Sequence, residues 1–307
     1  MFCLLYVDDI ILGCSDVKEI EKVKETLSHH FQMKDMGELK YVLGVNVEID
    51  NGAYLHQKQY IDQILSKYKM SECNPVSSPS HCSVKLQKDD RVSKNVDVKL
   101  YQSMVGSLIY LSTMTRPDIT YAVGVVSKYN SNPNEAHLTA VKRIFRYLKG
   151  SRDIKMCFNK SANACYGFSD SDWGGDIDDR KSTSGYVFKV GDSVVSWCSK
   201  KQPTVALSTA EAELIALCSA IQELFWLRKL LCEIDSRSTD LANTMYVDNL
   251  GTIHMGKNPV ISNRSKHIDV KYNFIREAVQ DKKVELVHIE SKNNVADIFT
   301  KALPREI

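Results

Sequence analysis

Gly167-Phe168-Ser169-Asp170-Ser171-Asp172-Trp173 closes the first strand-patterned run in the second half of the chain, and it carries two acids two positions apart. Successive strand side chains alternate between faces, so Asp170 and Asp172 share a face if the strand continues. Trp173-Gly174-Gly175 is a turn signal, and Asp172 reads equally well as a strand terminator. Outward from this run, Cys165 to Ser169, Gly185 to Val190 and Ser193 to Trp197 are patterned as strands, with Gly191-Asp192 as the hairpin turn between the last two. A long helix is expected from Thr209 to about Leu231, then a strand over Thr244 to Val247 and a short helix to His254. A longer helix from about Ile268 to Gln280, a strand from Val284 to Ile289 and a closing helix from Val295 complete the unit. This order describes an α/β (α+β) arrangement: a mixed sheet of five strands with helices packed on it.

Acids sit at the ends of these elements. Asp170 lies on the first strand, Glu213 early in the long helix, Asp248 at the end of the fourth strand and Asp297 at the start of the last helix. Carboxylates from strand ends and facing helices can converge into an oxygen-only cage, the donor set that suits magnesium or manganese. Two such ions roughly 4 Å apart activate a water and stabilise the leaving oxygen of a phosphodiester.

Each acid also has a plainer reading. Ser208-Thr209-Ala210-Glu211 is a capping box, so Glu211 is expected to reach back to the Ser208 amide, leaving Glu213 for chemistry. Asp248 could cap the helix that begins at Asn249, and Asp297 follows Asn294 at capping-box spacing.

The first half begins with Phe2-Cys3-Leu4-Leu5-Tyr6-Val7-Asp8-Asp9-Ile10-Ile11-Leu12, two apolar runs around a polar pair, which reads as a hairpin. Adjacent carboxylates at a turn tip repel, and a hard cation at Asp8 and Asp9 would relieve them. Val17, Ile20, Val23, Leu27 and Phe31 recur at helical spacing. Tyr41 to Ile49 alternates as a strand, Asp50-Asn51-Gly52 is a hairpin turn, and a short helix spans roughly Gln59 to Lys69. Ser71 to about Lys99 is rich in Ser, Pro, Lys and Asp and reads as a linker. Helices are expected over Tyr101 to Thr113, Asp118 to Tyr129 and Asn134 to Lys149, separated by Arg116-Pro117 and Asn132-Pro133. In the last of these, Lys142, Arg143, Arg146 and Lys149 form a basic face, either a solvated surface or a phosphate track.

Composition narrows the class. With 40 basic and 38 acidic residues in 307, the formal charge is +2, which excludes a uniformly polycationic surface but not a local basic stripe. Nine cysteines are scattered without any Cys-x-x-Cys spacing, arguing against a disulfide framework or a zinc site and for a reducing compartment. The apolar start, broken by Asp8 and Asp9, does not read as a signal peptide, and no run approaches a membrane span. A soluble intracellular protein is expected.

Residues 164–304 resemble the ribonuclease H domain of the Pol polyprotein of copia-type LTR retrotransposons. The resemblance is carried by Gly167 to Trp173, by Lys181-Ser182-Thr183-Ser184-Gly185-Tyr186 and by Leu207-Ser208-Thr209-Ala210-Glu211-Ala212-Glu213. Tyr246-Val247-Asp248-Asn249 and Ala296-Asp297-Ile298-Phe299-Thr300-Lys301 complete it. Upstream, Gly106-Ser107-Leu108-Ile109-Tyr110-Leu111, Thr115-Arg116-Pro117-Asp118-Ile119 and Arg146-Tyr147-Leu148-Lys149-Gly150 resemble the stretch before it in the same polyprotein. Tyr6-Val7-Asp8-Asp9 resembles the metal-binding hairpin of a reverse transcriptase palm.

The resemblance implies a division into a truncated reverse transcriptase palm and thumb (1–70), a linker (71–100), a helical connection (101–160) and a ribonuclease H-like domain (161–307). It implies that Asp170 bridges two magnesium or manganese ions, with Glu213 and Asp248 completing one coordination sphere and Asp297 the other. The reaction implied is cleavage of the RNA strand of an RNA–DNA hybrid, leaving a 3′-hydroxyl and a 5′-phosphate. RNA would be selected through its 2′-hydroxyls. A histidine common in the loop before the last aspartate is missing, since Glu290-Ser291-Lys292-Asn293-Asn294 fills that place; the departure bears on turnover rate more than on the existence of activity.

Only five residues precede the Tyr6-Val7-Asp8-Asp9 motif, so the chain alone is not expected to polymerise. The partners implied are the hybrid and the remainder of the Pol polyprotein, with no membrane, in the cytoplasm within the virus-like particle of a parent element, or in the nucleus. The competing expectation is a catalytically inactive transposon remnant or nucleic-acid-binding protein.

Overall fold

The computed structural model describes residues 1–88, 96–159, 165–234, 242–257 and 266–304, and the side chains of 266–268 are excepted. Strands β1 (Phe2–Tyr6) and β2 (Asp9–Gly13) pair in register from Phe2 opposite Gly13 to Tyr6 opposite Asp9. The turn is therefore Val7-Asp8, with Val7 in the left-handed region at φ 51°. The two acids are separated by this geometry: Asp8 lies in the turn and Asp9 is already in the ladder.

Asp16 caps α1 (Val17–His30) by accepting from the Lys18 amide at 2.9 Å. The strand expected over Tyr41 to Ile49 is instead a hairpin of β3 (Tyr41–Val42) and β4 (Val45–Ile49). Leu43 and Gly44 have φ of 49° and 74°, the pair of positive values that a two-residue hairpin turn demands. Alternation alone does not reveal it, because Leu is a poor advertisement for a left-handed position. β5 (Ala53–His56) and α2 (Lys58–Lys67) follow.

Helix α3 (Val98–Met114) starts ahead of the expected Tyr101, since Asp97 accepts from the Lys99 and Leu100 amides. The helix expected over Asp118 to Tyr129 is divided into a 3-10 turn (Pro117–Ile119) and α4 (Thr120–Ser127). α5 (Glu135–Gly150) opens with a capping box between Asn134 and His137. Four helices, α2 through α5, bury one core that includes Ile61, Leu65, Tyr101, Leu108, Val123, Phe145 and Leu148.

The chain then forms β6 (Met156–Phe158), a strand that composition did not signal, and it pairs antiparallel with β5 in a sheet ordered β3-β4-β5-β6. Elements from both ends of the first half therefore share a sheet and a core. The Ser- and Pro-rich stretch lies along α5, held by Arg146 Nε donating to the Asn74 carbonyl at 2.7 Å and Arg143 Nη2 to Ser78 Oγ at 2.9 Å. Residues 89–95 of the expected linker, and the boundary drawn at 160/161, lie outside the described residues.

The second half contains β7 (Cys165–Ser171), β8 (Thr183–Val190), β9 (Ser193–Lys201) and α6 (Thr209–Ile234). β10 (Asn243–Val247), α7 (Leu250–Lys257), α8 (Lys266–Gln280) and β11 (Val284–His288) follow. The sheet order is β11-β10-β7-β8-β9, with β10 parallel to both its neighbours and β7-β8-β9 antiparallel. This is the mixed five-stranded sheet expected. Helix α6 carries Ala212, Ala216 and Ala220 at four-residue spacing, all fully buried, so its axis can approach closely. Leu214, Leu217, Ile221, Met245 and Leu286 belong to the same core.

The closing helix expected from Val295 is a 3-10 segment, Val295–Phe299, preceded by a 3-10 turn at Ser291–Asn293. Ala296, Asp297 and Phe299 are all buried, and the Thr300 amide bonds back to the Asp297 carbonyl at 3.1 Å. The two halves are in contact: Trp197 Nε1 donates to the Ser112 carbonyl at 2.8 Å. Asp176 also receives Lys128 at 2.9 Å and Lys201 at 2.8 Å. Burial opposes ionisation of Asp176, but these two ammonium groups hold it well below the usual carboxylate range. Among the described residues no helix is long and apolar enough to cross a membrane.

Candidate metal centre

Asp170 is the penultimate residue of β7, Asp248 follows β10 directly, and Asp297 lies in the terminal 3-10 segment. Parallel pairing of β7 with β10 puts the first two at the same end of the sheet. Asn294 brings in the third: it accepts from the Ala296 amide at 3.1 Å and donates through Nδ2 to the Ser169 carbonyl at 3.0 Å. One carboxylate oxygen from each of Asp170, Asp248 and Asp297 lies within 4.8 Å of the others. Glu213, in the second turn of α6, is anchored to the same strand end by the Ser171 amide, which donates to its Oε1 at 3.0 Å. Three of the four acids singled out in the sequence therefore gather at one end of the sheet, and Glu213 stands beside them, held to the same strand end.

Asp170 is 4% exposed and Glu213 5%. Burial, together with the neighbouring Asp297 and Asp248 charges, pushes the Asp170 carboxyl up, against the Thr300 hydroxyl that donates to its Oδ2. Burial and the charges of Asp170 and Asp248 push Glu213 up as well. Glu213 Oε2 and Asp297 Oδ1 are buried without a hydrogen-bond partner. Unpaired buried carboxylate oxygens are costly, and a cation is the group that satisfies them. An all-oxygen donor set with such orphaned atoms fits magnesium or manganese.

A pH dependence follows. A carboxyl whose folded pKa is raised binds its proton more readily in the folded state than in the unfolded one, so stability falls as pH rises above about 4. Without metal, the melting temperature is expected to decline between about pH 5 and 8, and saturating magnesium is expected to flatten that decline. Scanning calorimetry in chelator and in magnesium checks this. Equal slopes in the two conditions would contradict it.

The plainer roles fall elsewhere. Asn249, not Asp248, caps α7, with its Oδ1 accepting from the Thr252 amide at 3.0 Å. Ser208 Oγ accepts from the Glu211 amide as expected, but Glu211 reaches the Leu207 amide at 3.1 Å, one residue before the Ser208 amide expected. Asp172 turns away from the cluster to accept from the Thr183 amide. His288, at the end of β11, is exposed, and the Ser291–Asn293 turn occupies the loop.

Asp8 and Asp9 are exposed, and among the described residues no third acidic, histidine or cysteine ligand gathers with them. Of the basic face on α5, Arg143 and Arg146 are engaged by Ser78 and Asn74, while Lys142 is exposed and Lys149 half-buried.

Residues that spacing did not single out complete the centre. Thr300, 1% exposed, also donates to the Asp297 carbonyl at 3.2 Å and so links two of the acids. Gly185 stands opposite Asp170 in the β7–β8 register. A Cβ there would meet Phe299 Cβ and Thr300 Cγ2 at 2.7 Å and the Ala296 carbonyl oxygen at 3.2 Å. A glycine inside a strand pattern is the available signal for such close approach. Gly185→Ala is expected to cost about 1–3 kcal/mol in urea unfolding by forcing apart β8 and the segment that carries Asp297. Wild-type stability in that variant would contradict the packing account.

Strand order and the position of the acids define the class: a ribonuclease H-like sheet joined to an upstream reverse-transcriptase-like unit. A family model described as "Reverse transcriptase (RNA-dependent DNA polymerase)" matches residues 1–82. Relatives at 36–40% identity over nearly the whole chain are Pol polyproteins of plant copia-type transposons. The chain is 40% identical over 310 aligned residues to the retrovirus-related Pol polyprotein from transposon TNT 1-94 of Nicotiana tabacum, covering 98% of this chain and 23% of that protein. With the Pol polyprotein from transposon RE1 of Arabidopsis thaliana it shares 38% identity, covering 99% of this chain and 21% of the relative. It thus spans under a quarter of the length of these relatives. A foamy viral protease-reverse transcriptase, solved in complex with an RNA/DNA hybrid, aligns with 94% of this chain and 36% of its own. That alignment has a TM-score of 0.56 at 13% identity, a likeness of fold.

Proposed function

We propose that the second half of the chain is a metal-dependent endonuclease that hydrolyses the RNA strand of RNA–DNA hybrids. We also propose that the first half does not polymerise by itself. The observation that carries the reading is the convergence of Asp170, Asp248 and Asp297 within 4.8 Å, beside a Glu213 whose Oε2 has no partner. Asp170, Glu213, Asp248 and Asp297 would hold two magnesium or manganese ions, which supply a nucleophilic water at neutral pH and charge stabilisation for the leaving oxygen.

The chain's own contribution is positioning. Thr300 fixes the rotamer of Asp170, the Ser171 amide fixes Glu213, and Asn294 fixes the approach of Asp297. Asp170 interacts electrostatically with each of the other three acids, the position expected of a ligand shared by two ions. Lys142 and Lys149 on α5 remain candidates for phosphate contact, while Arg143 and Arg146 serve the packing of residues 74–78. Leu4 and Leu5 of the first hairpin are 63% and 71% exposed, so Asp8 and Asp9 lack the packed sheet that a polymerase site requires. The partners on this reading are the hybrid and the remainder of a Pol polyprotein.

The test is incubation of the full chain with end-labelled hybrid, double-stranded RNA and double-stranded DNA, in magnesium, manganese or chelator. Cutting confined to the RNA of the hybrid, dependent on the ion and leaving 5′-phosphates, is expected. Hybrid binding with no ion-dependent cutting would sink the nuclease reading in favour of a binding remnant.

A further inference from the structure

Lys301 presents its ammonium group to the acid cluster. Lys301 Nζ lies 2.8 Å from Asp297 Oδ2, one helical turn along the chain, and its charge also interacts with Asp170 and Asp248. This pairing uses one of Asp297's oxygens and leaves Oδ1 unpartnered. The side chain is 47% exposed, so it can move without disturbing the core. It also borders a cavity of about 310 Å³ lined by Asp118, Tyr121, Tyr147 and the chain at Ser77–Ser80. Lys301 therefore has a seat on the acids and open volume beside it.

We infer that Lys301 is an intramolecular counter-cation that occupies the Asp297 side of the centre and competes with the ion binding there. This inference rests on the two-ion reading and deepens it. Without metal, the ammonium offsets repulsion among four crowded carboxylates, so the cluster stays folded. Asp297 would serve a second ion only if Lys301 released its Oδ2, and the adjoining cavity gives the lysine side chain room to do so. Competition of this kind makes the ion on the Asp297 side the weaker of the two, because it must displace a tethered cation. Linkage requires the effect to be mutual: whatever the ammonium subtracts from ion affinity, the ion subtracts from ammonium pairing.

The experiment is calorimetric titration of manganese into the metal-free full chain and into Lys301→Met and Lys301→Arg, with melting temperatures recorded in chelator and in saturating manganese. Lys301→Met is expected to tighten the weaker binding step on the order of tenfold. It is also expected to melt below wild type in chelator but level with it in manganese. Lys301→Arg, which keeps the cation, is expected to stay near wild type in both. Unchanged manganese affinity and an unchanged metal-induced melting shift in Lys301→Met would overturn the inference while leaving the nuclease reading intact. Failure of the wild-type chain to bind manganese at all would overturn both.

Discussion

Asp170→Asn is expected to abolish hybrid cleavage, by about a thousandfold or more, while raising the melting temperature of the metal-free protein. The two effects have one origin. Asp170 is buried and surrounded by Glu213, Asp248 and Asp297, so its ionised form is disfavoured by desolvation and by like charge. An asparagine keeps the shape and can still accept from Thr300, but it removes a charge that the fold tolerates poorly.

On the proposed nuclease reading the same charge is needed, because ion-borne stabilisation of a transition state is worth several kcal/mol, roughly three orders of magnitude or more in rate. Each kcal/mol of relieved repulsion should add about 2–4 °C to the melting temperature. Glu213→Gln is expected to behave in the same way. Cleavage assays paired with calorimetry distinguish this from misfolding, since an unfolded variant loses both activity and stability. A variant that keeps wild-type cleavage would remove Asp170 from the site.

The second large effect concerns Arg116, which is 1% exposed in the core of the first half. Its Nε and Nη2 donate to the two oxygens of Asp118 at 2.9 and 2.7 Å, and its Nη1 and Nη2 to Ser151 O and Oγ at 3.1 and 2.7 Å. Tyr147 adds a hydroxyl donor to Asp118 at 2.8 Å. This network ties the end of α3 to the end of α5. Arg116→Met takes the guanidinium from Asp118, leaving it only the Tyr147 hydroxyl, and strips the Ser151 carbonyl of its donor. Breaking a buried pair typically costs about 3–5 kcal/mol, and the 27% exposure of Asp118 places the loss towards the lower end. Urea unfolding should register that loss. The double variant Arg116→Met with Asp118→Asn should recover part of it, because the uncompensated charge is gone. A single variant within about 0.5 kcal/mol of wild type would contradict the account.

What was legible in the sequence divides along physical lines. Strand and helix identities in the second half could be read because apolar alternation and helical spacing are local properties of the chain, as the runs at Cys165 and Thr209 illustrate. The capping role of Ser208 was legible for the same reason. Elements whose form depends on distant partners were not. β6 is a three-residue strand that exists because β5 offers it an edge. The segment after Asn294 carries a helix-like capping pattern yet forms a 3-10 turn packed against β8 through Gly185. The hairpin at Leu43-Gly44 was hidden because a leucine accepts a left-handed conformation that only its surroundings hold in place.

The candidate site follows the same division. From the sequence alone came the four acids, Asp170, Glu213, Asp248 and Asp297, and the chemistry that carboxylates at element ends can support, because side-chain type and position in the pattern are written in the chain. The tertiary structure alone decided that Asp170, Asp248 and Asp297 meet with Glu213 beside them, because parallel pairing joins β7 to β10 and the Asn294 bond to β7 acts across 125 residues of sequence separation. It also decided which atoms are left unsatisfied, that Thr300 and Gly185 shape the centre, and that Lys301 faces the acids. Burial, close approach and charge proximity are properties of space, and no periodicity along the chain encodes them.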